Sequence, residues 1–334
     1  MQNWLNIPDK DKASIYNEIA NQTGLTPYAV EKDWWVTQTI GVIFQTNLAP
    51  HLVFKGGTSL SKAWNLIERF SEDIDLAVDR SFFNMEGELS GSQVKTLRKR
   101  SFNYISEIFY PALVQKFKDA GLNLDVRLGE AKDSDQDPII IEIYYPNVIQ
   151  YPEYIKPRVL VEIGCRSLRE PFTVCSFSSL VGSQYPTQPF ADAPIAIPTV
   201  NPERTFLEKI FLLHEEFQKP AEKIRVDRLS RHLYDVDRLM SSTHKNSVLT
   251  NKALYKEIVH HRRTITFVRD IDYAKHKPEF INPLPPQEVL ADWKKDYQIM
   301  QEQMIYGESP KFEVLLENIN GLKAEINKLD WSLE

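Results

Sequence analysis

Apolar and polar positions along this chain fall into two regimes that change near residue 200. Before it, short apolar runs of period 2 alternate with helical stretches; after it, the apolar period is close to 3.6 throughout. The pattern predicts helices over 10–24 and 26–47, the second opened by Thr26-Pro27 with proline at its first position. Trp34, Trp35, Thr37, Ile40 and Ile43 read as its core face. A short buried strand over 51–55 ends at a double glycine, and a helix over 59–69 carries Leu60, Ala63, Trp64 and Ile67 on one side. The next strand, 73–78, points Ile74, Leu76 and Val78 one way and Asp73 and Asp75 the other. A polar loop over 82–93, a long helix over 94–120 and strands over 122–128, 138–145 and 158–165 follow. Five prolines between 186 and 202 predict a linker or extended crossover. Helices are then expected over 203–217, 225–242, 250–263, 286–304 and 309–328, with no internal repeat. The expected division is a mixed α/β core over 1–200 and a helical domain over 201–334.

Composition narrows the class. With 334 residues, 42% hydrophobic and 26% charged, the chain can bury a sizeable core. It has no run of eighteen apolar residues and no secretory pattern at its start, and only two cysteines, Cys165 and Cys175, so a reduced, cytoplasmic setting is expected. The net charge of −6 argues against a general nucleic-acid coat. The segment 204–263 runs the other way, with 13 Lys/Arg against 8 Asp/Glu and five of the seven histidines. Such a basic segment suits a polyanionic substrate, or is simply a solvated helical surface. Lys95, Arg98, Lys99 and Arg100 open the long helix against its dipole preference and form a second cationic cluster.

The densest chemistry lies in FKGGTSLSKAWNLIERFSEDIDLAVD, residues 54–79. Asp73 and Asp75, one residue apart on a strand, project to one face and repel unless a cation lies between them. Oxygen ligands of this kind suit Mg²⁺. Gly56 and Gly57 allow close backbone approach to a phosphate, with hydroxyls of Thr58 and Ser59 beside them, either as phosphate donors or as a helix cap. Ser71 faces the side of Asp73, and Lys55 and Lys62 are nearby cations. Phosphate cradle plus metal carboxylates points to nucleotidyl transfer.

This combination resembles the polymerase-β-type nucleotidyltransferases, and within them the AbiEii/AbiGii toxin family of abortive-infection and toxin–antitoxin systems. GGTSL at 56–60 and SEDIDL at 71–76 match the family's first two motifs, Lys209 in ERTFLEKIFLL its third and Asp235 in RHLYDVDRL its fourth; Glu31-Lys32-Asp33 opens an N-terminal helix as in that family. The resemblance implies an α+β fold: a polymerase-β-like core with a mixed sheet, plus a C-terminal α-helical domain contributing to the nucleotide site. It implies catalytic Asp73, Asp75, Lys209 and Asp235, with Asp235 a base or an orienting group. Nucleotide binding falls to Gly56, Gly57, Thr58, Ser59, Ser71, Lys209 and Arg231. Metal binding falls to Asp73, Asp75 and a third carboxylate. Glu142 in IIIEIYY and Glu162 in VLVEIGCR both interrupt apolar strands; Glu162 is preferred because EIGCR is similar to the family's strand, with Arg166 as its partner or a phosphate ligand. Three metal carboxylates are expected to converge on one Mg²⁺, and Lys209 and Asp235 to face them across a cleft.

The expected activity is Mg²⁺-dependent transfer of a nucleoside monophosphate from an NTP to an acceptor hydroxyl. In the family this implies a tRNA 3′ end, inhibition of translation and a cognate antitoxin partner. A small-molecule nucleotidyltransferase and a non-catalytic NTP-binding module are the alternatives. Arg228, Arg231, His232, Asp235 and Arg238 are expected to share one face of the 225–242 helix, and His260-His261-Arg262-Arg263 to end a helix with cations at its C-terminus.

Overall fold

The computed structural model describes residues 2–71, 73–151, 156–167, 169 and 171–332, so Glu72 of the SEDIDL motif lies outside it. Two compact units emerge: Met1–Ala63 with Phe70–Val200, and Trp64–Arg69 with Asn201–Glu334.

The first unit is built on a seven-stranded mixed sheet. Its strands are β1 (Leu52–Lys55), β2 (Asp73–Val78), β3 (Asp125–Leu128), β4 (Ile139–Tyr144), β5 (Arg158–Gly164), β6 (Phe172–Phe177) and β7 (Ile195–Val200). They lie in the order β3-β4-β5-β2-β1-β7-β6. β2 runs parallel to β5 and antiparallel to β1, and β1 runs parallel to β7. Helices α1 (Gln2–Leu5), α2 (Asp9–Thr23), α3 (Pro27–Ile43), α4 (Gly56–Lys62), α5 (Gly91–Tyr104), α6 (Tyr110–Asp119) and α7 (Leu180–Gln184) complete it. A turn of π-helix, Ile105–Phe109, joins α5 to α6, so the long helix expected over 94–120 is one rod with a bulge. One sheet face is dry: Ile74, Leu76, Ile141, Ile143, Val161 and Ile163 pack in one core with Trp34, Ile40, Leu97 and Phe109. The alternation leaves the opposite face half-buried, and it is this face that carries Asp73, Asp75, Glu142 and Glu162.

Two expectations are refined here. The helix after the double glycine spans Gly56–Lys62 and stops there, because Asn65 takes a left-handed φ of 53° and the segment Trp64–Arg69 joins the second unit. The proline-rich stretch, expected as a linker or extended crossover, holds β7, an interior strand between β1 and β6. Pro198 is tolerated because β7 pairs with β1 only at Phe54↔Thr199, and its register partner on β6 is Val174. β6 itself was not anticipated.

The second unit is helical: α8 (Pro202–Glu216), α9 (Arg231–Met240), α10 (His244–Thr250), α11 (Lys252–Thr264), α12 (Leu290–Gln303) and α13 (Phe312–Ile326). α9 starts six residues later than expected because Arg228 has φ 59°, which no helix accommodates. Arg228 therefore leaves the face proposed for it. Asp296 of α12 holds this turn, its carboxylate accepting from the Arg228 N–H at 2.7 Å and the Ser230 N–H at 3.0 Å. No helix among the described residues is long and apolar enough to cross a membrane.

Candidate active site

Sheet register builds the first cluster. Asp75 of β2 lies directly opposite Glu162 of β5 and Lys55 of β1, and Asp73 lies opposite Leu160. Partners in register share a face, so Asp73, Asp75, Glu162 and Lys55 all stand on the half-buried side. Gly56 follows at once with φ +80°, and a Cβ built there would lie 2.0 Å from Asp75 Oδ2 and 2.7 Å from its Cγ. The carboxylate rests on the bare glycine backbone, which explains why α4 must open on a glycine: both its conformation and the space above it exclude a side chain.

Thr58 and Ser59 are wholly buried and their hydroxyls point inward. Thr58 donates to the Asp73 carbonyl and lies 3.0 Å from the Ser71 hydroxyl; Ser59 donates to the Gly56 carbonyl at 2.9 Å. Neither caps α4, whose N-cap position is Lys55. These hydroxyls brace the start of β2 and the glycine turn. Lys62 is likewise engaged, paired with Asp33.

The two third-carboxylate candidates separate. Glu142 pairs with Arg158 and accepts from the Tyr144 hydroxyl at 2.7 Å, whereas Glu162 is the residue in register with Asp75. Arg166 donates to Asp137 at 2.6 Å. Among the described residues no three His, Cys, Asp or Glu side chains stand close enough to hold a metal ion, so the expected convergence of Asp73, Asp75 and Glu162 into one ready sphere is not found. The donor set still fits Mg²⁺, which commonly takes one or two carboxylates and completes its octahedron with substrate phosphates and water.

The second cluster lies within the helical unit. Asp235 of α9 is fully buried and forked by Arg69, Nε to Oδ1 at 2.6 Å and Nη2 to Oδ2 at 2.8 Å. Lys209 of α8 reaches Asp235 Oδ2 at 2.8 Å and lies 3.4 Å from His232 Nδ1. Burial alone would raise the Asp235 carboxyl, but Arg69 and then Lys209 hold it well below its ordinary range. A carboxylate so held accepts protons poorly at neutral pH. Burial and the neighbouring Lys209 push His232 well below its usual value, leaving a neutral ring. Burial pushes the Lys209 ammonium below its ordinary value, Asp235 pulls it back up, and Arg69 and Arg231 add to the downward push. Arg69 was missed in sequence reading. Its only signal was an arginine in an apolar setting just ahead of SEDIDL.

Several cations of 204–263 are paired with acids of the same segment, which leaves its net basic excess unchanged. Arg204 pairs with Glu257 at 2.8 Å, Lys219 and Arg225 both with Glu216 at 2.7 Å, and Arg262 with Glu215. Arg262 thus closes an internal ion pair beyond the helix-end role expected of its cluster.

A half-buried mixed sheet bearing Asp-x-Asp beside a glycine turn, with a helix-rich C-terminal region, defines a nucleotidyltransferase of the polymerase-β fold. The sequence model of the family described as "Nucleotidyl transferase AbiEii toxin, Type IV TA system" matches residues 42–318, and the chain belongs to this family. It is therefore a nucleotidyltransferase of the toxin–antitoxin and abortive-infection type. Among solved structures it is similar to MenT4, a nucleotidyltransferase toxin from Mycobacterium tuberculosis H37Rv, at 17% identity over 96% of this chain and 90% of that one, with a TM-score of 0.52. It is also similar to JHP933 from Helicobacter pylori, at 14% identity over 87% and 90% of the two chains, with a TM-score of 0.42. No protein of curated function matches the sequence.

Proposed function

We propose that this enzyme transfers a nucleoside monophosphate from an NTP to an acceptor hydroxyl at a tRNA 3′ end, releasing pyrophosphate, and that its effect is to block translation until a cognate antitoxin opposes it. The observation that carries the reading is Asp75 lying on the Gly56 backbone while in register with Glu162. Asp73 and Asp75, with Glu162 beside them, would hold Mg²⁺. When bound, the metal neutralises phosphate charge and lowers the pKa of the attacking hydroxyl.

The chain's own groups supply the rest. The Gly56-Gly57 turn gives the triphosphate close access to the backbone, and Lys55, opposite Asp75, adds positive charge at the rim. Thr58, Ser59 and Ser71 keep the turn and β2 in register. Lys209 and Arg231 bind phosphate, with Asp235 and Arg69 fixing the direction of the lysine.

Incubation of purified protein with each labelled NTP, Mg²⁺ and total tRNA tests the reading. Label is expected on tRNA 3′ ends with wild type and not with Asp75→Ala. Label on small-molecule acceptors alone would replace the tRNA assignment, and NTP binding without any transfer would overturn it.

A further inference from the structure

Three consecutive residues of α3 reach three different parts of the first unit. Successive helical residues point about 100° apart, so one turn can address several neighbours. Glu31 and Lys32 are almost wholly buried. Glu31 accepts from the Val148 N–H at 2.7 Å and the Ile149 N–H at 3.2 Å, in the segment between β4 and β5. Lys32 donates to the Lys156 carbonyl at 3.2 Å, two residues ahead of β5. Asp33 accepts from the Leu180 N–H at 2.7 Å with one oxygen and pairs with Lys62 through the other.

These tethers share a destination. β5 begins at Arg158 and carries Glu162, and its register with β2 sets Leu160, its third residue, opposite Asp73. α4 begins at Gly56 under Asp75 and ends at Lys62, a span of seven residues. It is fastened at its start by Thr58 to Asp73 and at its end by Lys62 to Asp33. Lys62 also lies 5.8 Å from the Phe177 ring centroid, which closes its other side. The charges of this pair are only about a tenth exposed, so solvent screens them little.

We propose that Glu31-Lys32-Asp33 is a positioning device for the carboxylate end of the sheet, and that within it the Asp33–Lys62 pair sets the angle of α4 and so the placement of Gly56 beneath Asp75. The inference rests on the nucleotidyl-transfer reading above. It gives Asp33 and Lys62 a role apart from substrate: they act through α4. Loss of either lets α4 pivot about its Thr58 end.

The test compares wild type, Asp33→Asn, Lys62→Met, the double variant and Lys62→Arg. Three quantities are read: thermal midpoint, Mn²⁺ affinity by calorimetry without nucleotide, and kcat and KM for NMP transfer. Asp33→Asn keeps an oxygen acceptor for the Leu180 N–H and loses both the charge and the acceptor that faces Lys62. Both single variants should fold, bind Mn²⁺ several-fold more weakly and lose on the order of tenfold to a hundredfold in kcat, as expected for a reacting group displaced by up to about 1 Å. The double variant should be no worse than either single one, because both act through one contact, and Lys62→Arg should recover most of the loss. Folded Asp33→Asn and Lys62→Met with wild-type Mn²⁺ affinity and kcat would overturn the proposal. So would losses that follow a lowered melting point while Mn²⁺ affinity stays unchanged. A wild-type protein that neither binds Mn²⁺ nor transfers NMP would sink the nucleotidyl-transfer reading, and this inference with it.

Discussion

Gly56 shows how much a single position decides. Its φ of +80° costs an L-residue about 1–2 kcal/mol, and a Cβ would collide with Asp75. Gly56→Ala should therefore lower the melting point and abolish transfer, whereas the double variant Gly56→Ala/Asp75→Ala should regain stability without activity. Differential scanning fluorimetry beside a transfer assay separates the two effects. Asp75→Ala alone should fold at least as well as wild type, since it relieves carboxylate repulsion. Its turnover should fall about a thousandfold, or ~4 kcal/mol in barrier, measured at saturating NTP and Mg²⁺. A pH effect belongs to this scale as well. Burial, then the facing His276, pushes His214 down to about 4, and its Nδ1 accepts the Asn282 N–H at 3.0 Å. The unfolded chain takes up that proton near pH 6.5 and the folded one only near 4, so stability present above 6.5 is lost as pH falls across that window. The loss approaches about 3 kcal/mol for this group. Denaturant titrations at pH 7 and pH 4.5 should show a shallower decline for His214→Gln than for wild type.

Among the elements, α8 and α9 carry the sharpest energetic contrast. Asp235 answers two buried basic side chains, so Asp235→Ala removes the carboxylate they share and should cost about 3–5 kcal/mol of stability, read by urea unfolding. Lys209→Ala leaves Asp235 still forked by Arg69 and should keep its fold while weakening NTP binding, read by titration at matched Mg²⁺. Equal affinity and turnover would reduce Lys209 to a structural lysine. The element-level misreadings have a common origin. Helical period alone carried α9 back to 225, but Arg228 in a left-handed conformation, with its N–H held by Asp296, delays the start to Arg231. Period likewise extended α4 to 69, whereas Asn65 turns the chain away.

For the whole molecule, the notable fact is that the chain passes between its two units three times. Trp64–Arg69 belongs with the C-terminal helices: Arg69 forks Asp235, the Tyr234 hydroxyl accepts from the Glu68 N–H at 3.3 Å, and Tyr306 N–H donates to the Glu68 carbonyl at 3.0 Å. Cutting at 200 therefore does not yield two whole units. A 201–334 fragment lacks the arginine that neutralises Asp235, and a 1–200 fragment exposes Ile67, otherwise 1% accessible. Each fragment should be more readily digested in limited proteolysis than the same region of the intact chain.

Local chemistry and period made much of this protein legible from its residues alone. Strand alternation placed Asp73 and Asp75 on one face with Ile74 and Leu76 on the other, because side-chain direction in a strand depends only on parity. The double glycine announced a close approach, and the spacing of GGTSL, SEDIDL, Lys209 and Asp235 announced the family. What tertiary structure alone decided are the pairings between distant segments. Which glutamate stands in register with Asp75, which hydroxyls turn inward, that a proline-rich stretch supplies an interior strand, and that Arg69 crosses to answer Asp235 all follow from contacts of high sequence separation. No local propensity encodes these, because a buried charge takes its partner from whichever chain segment packing brings beside it.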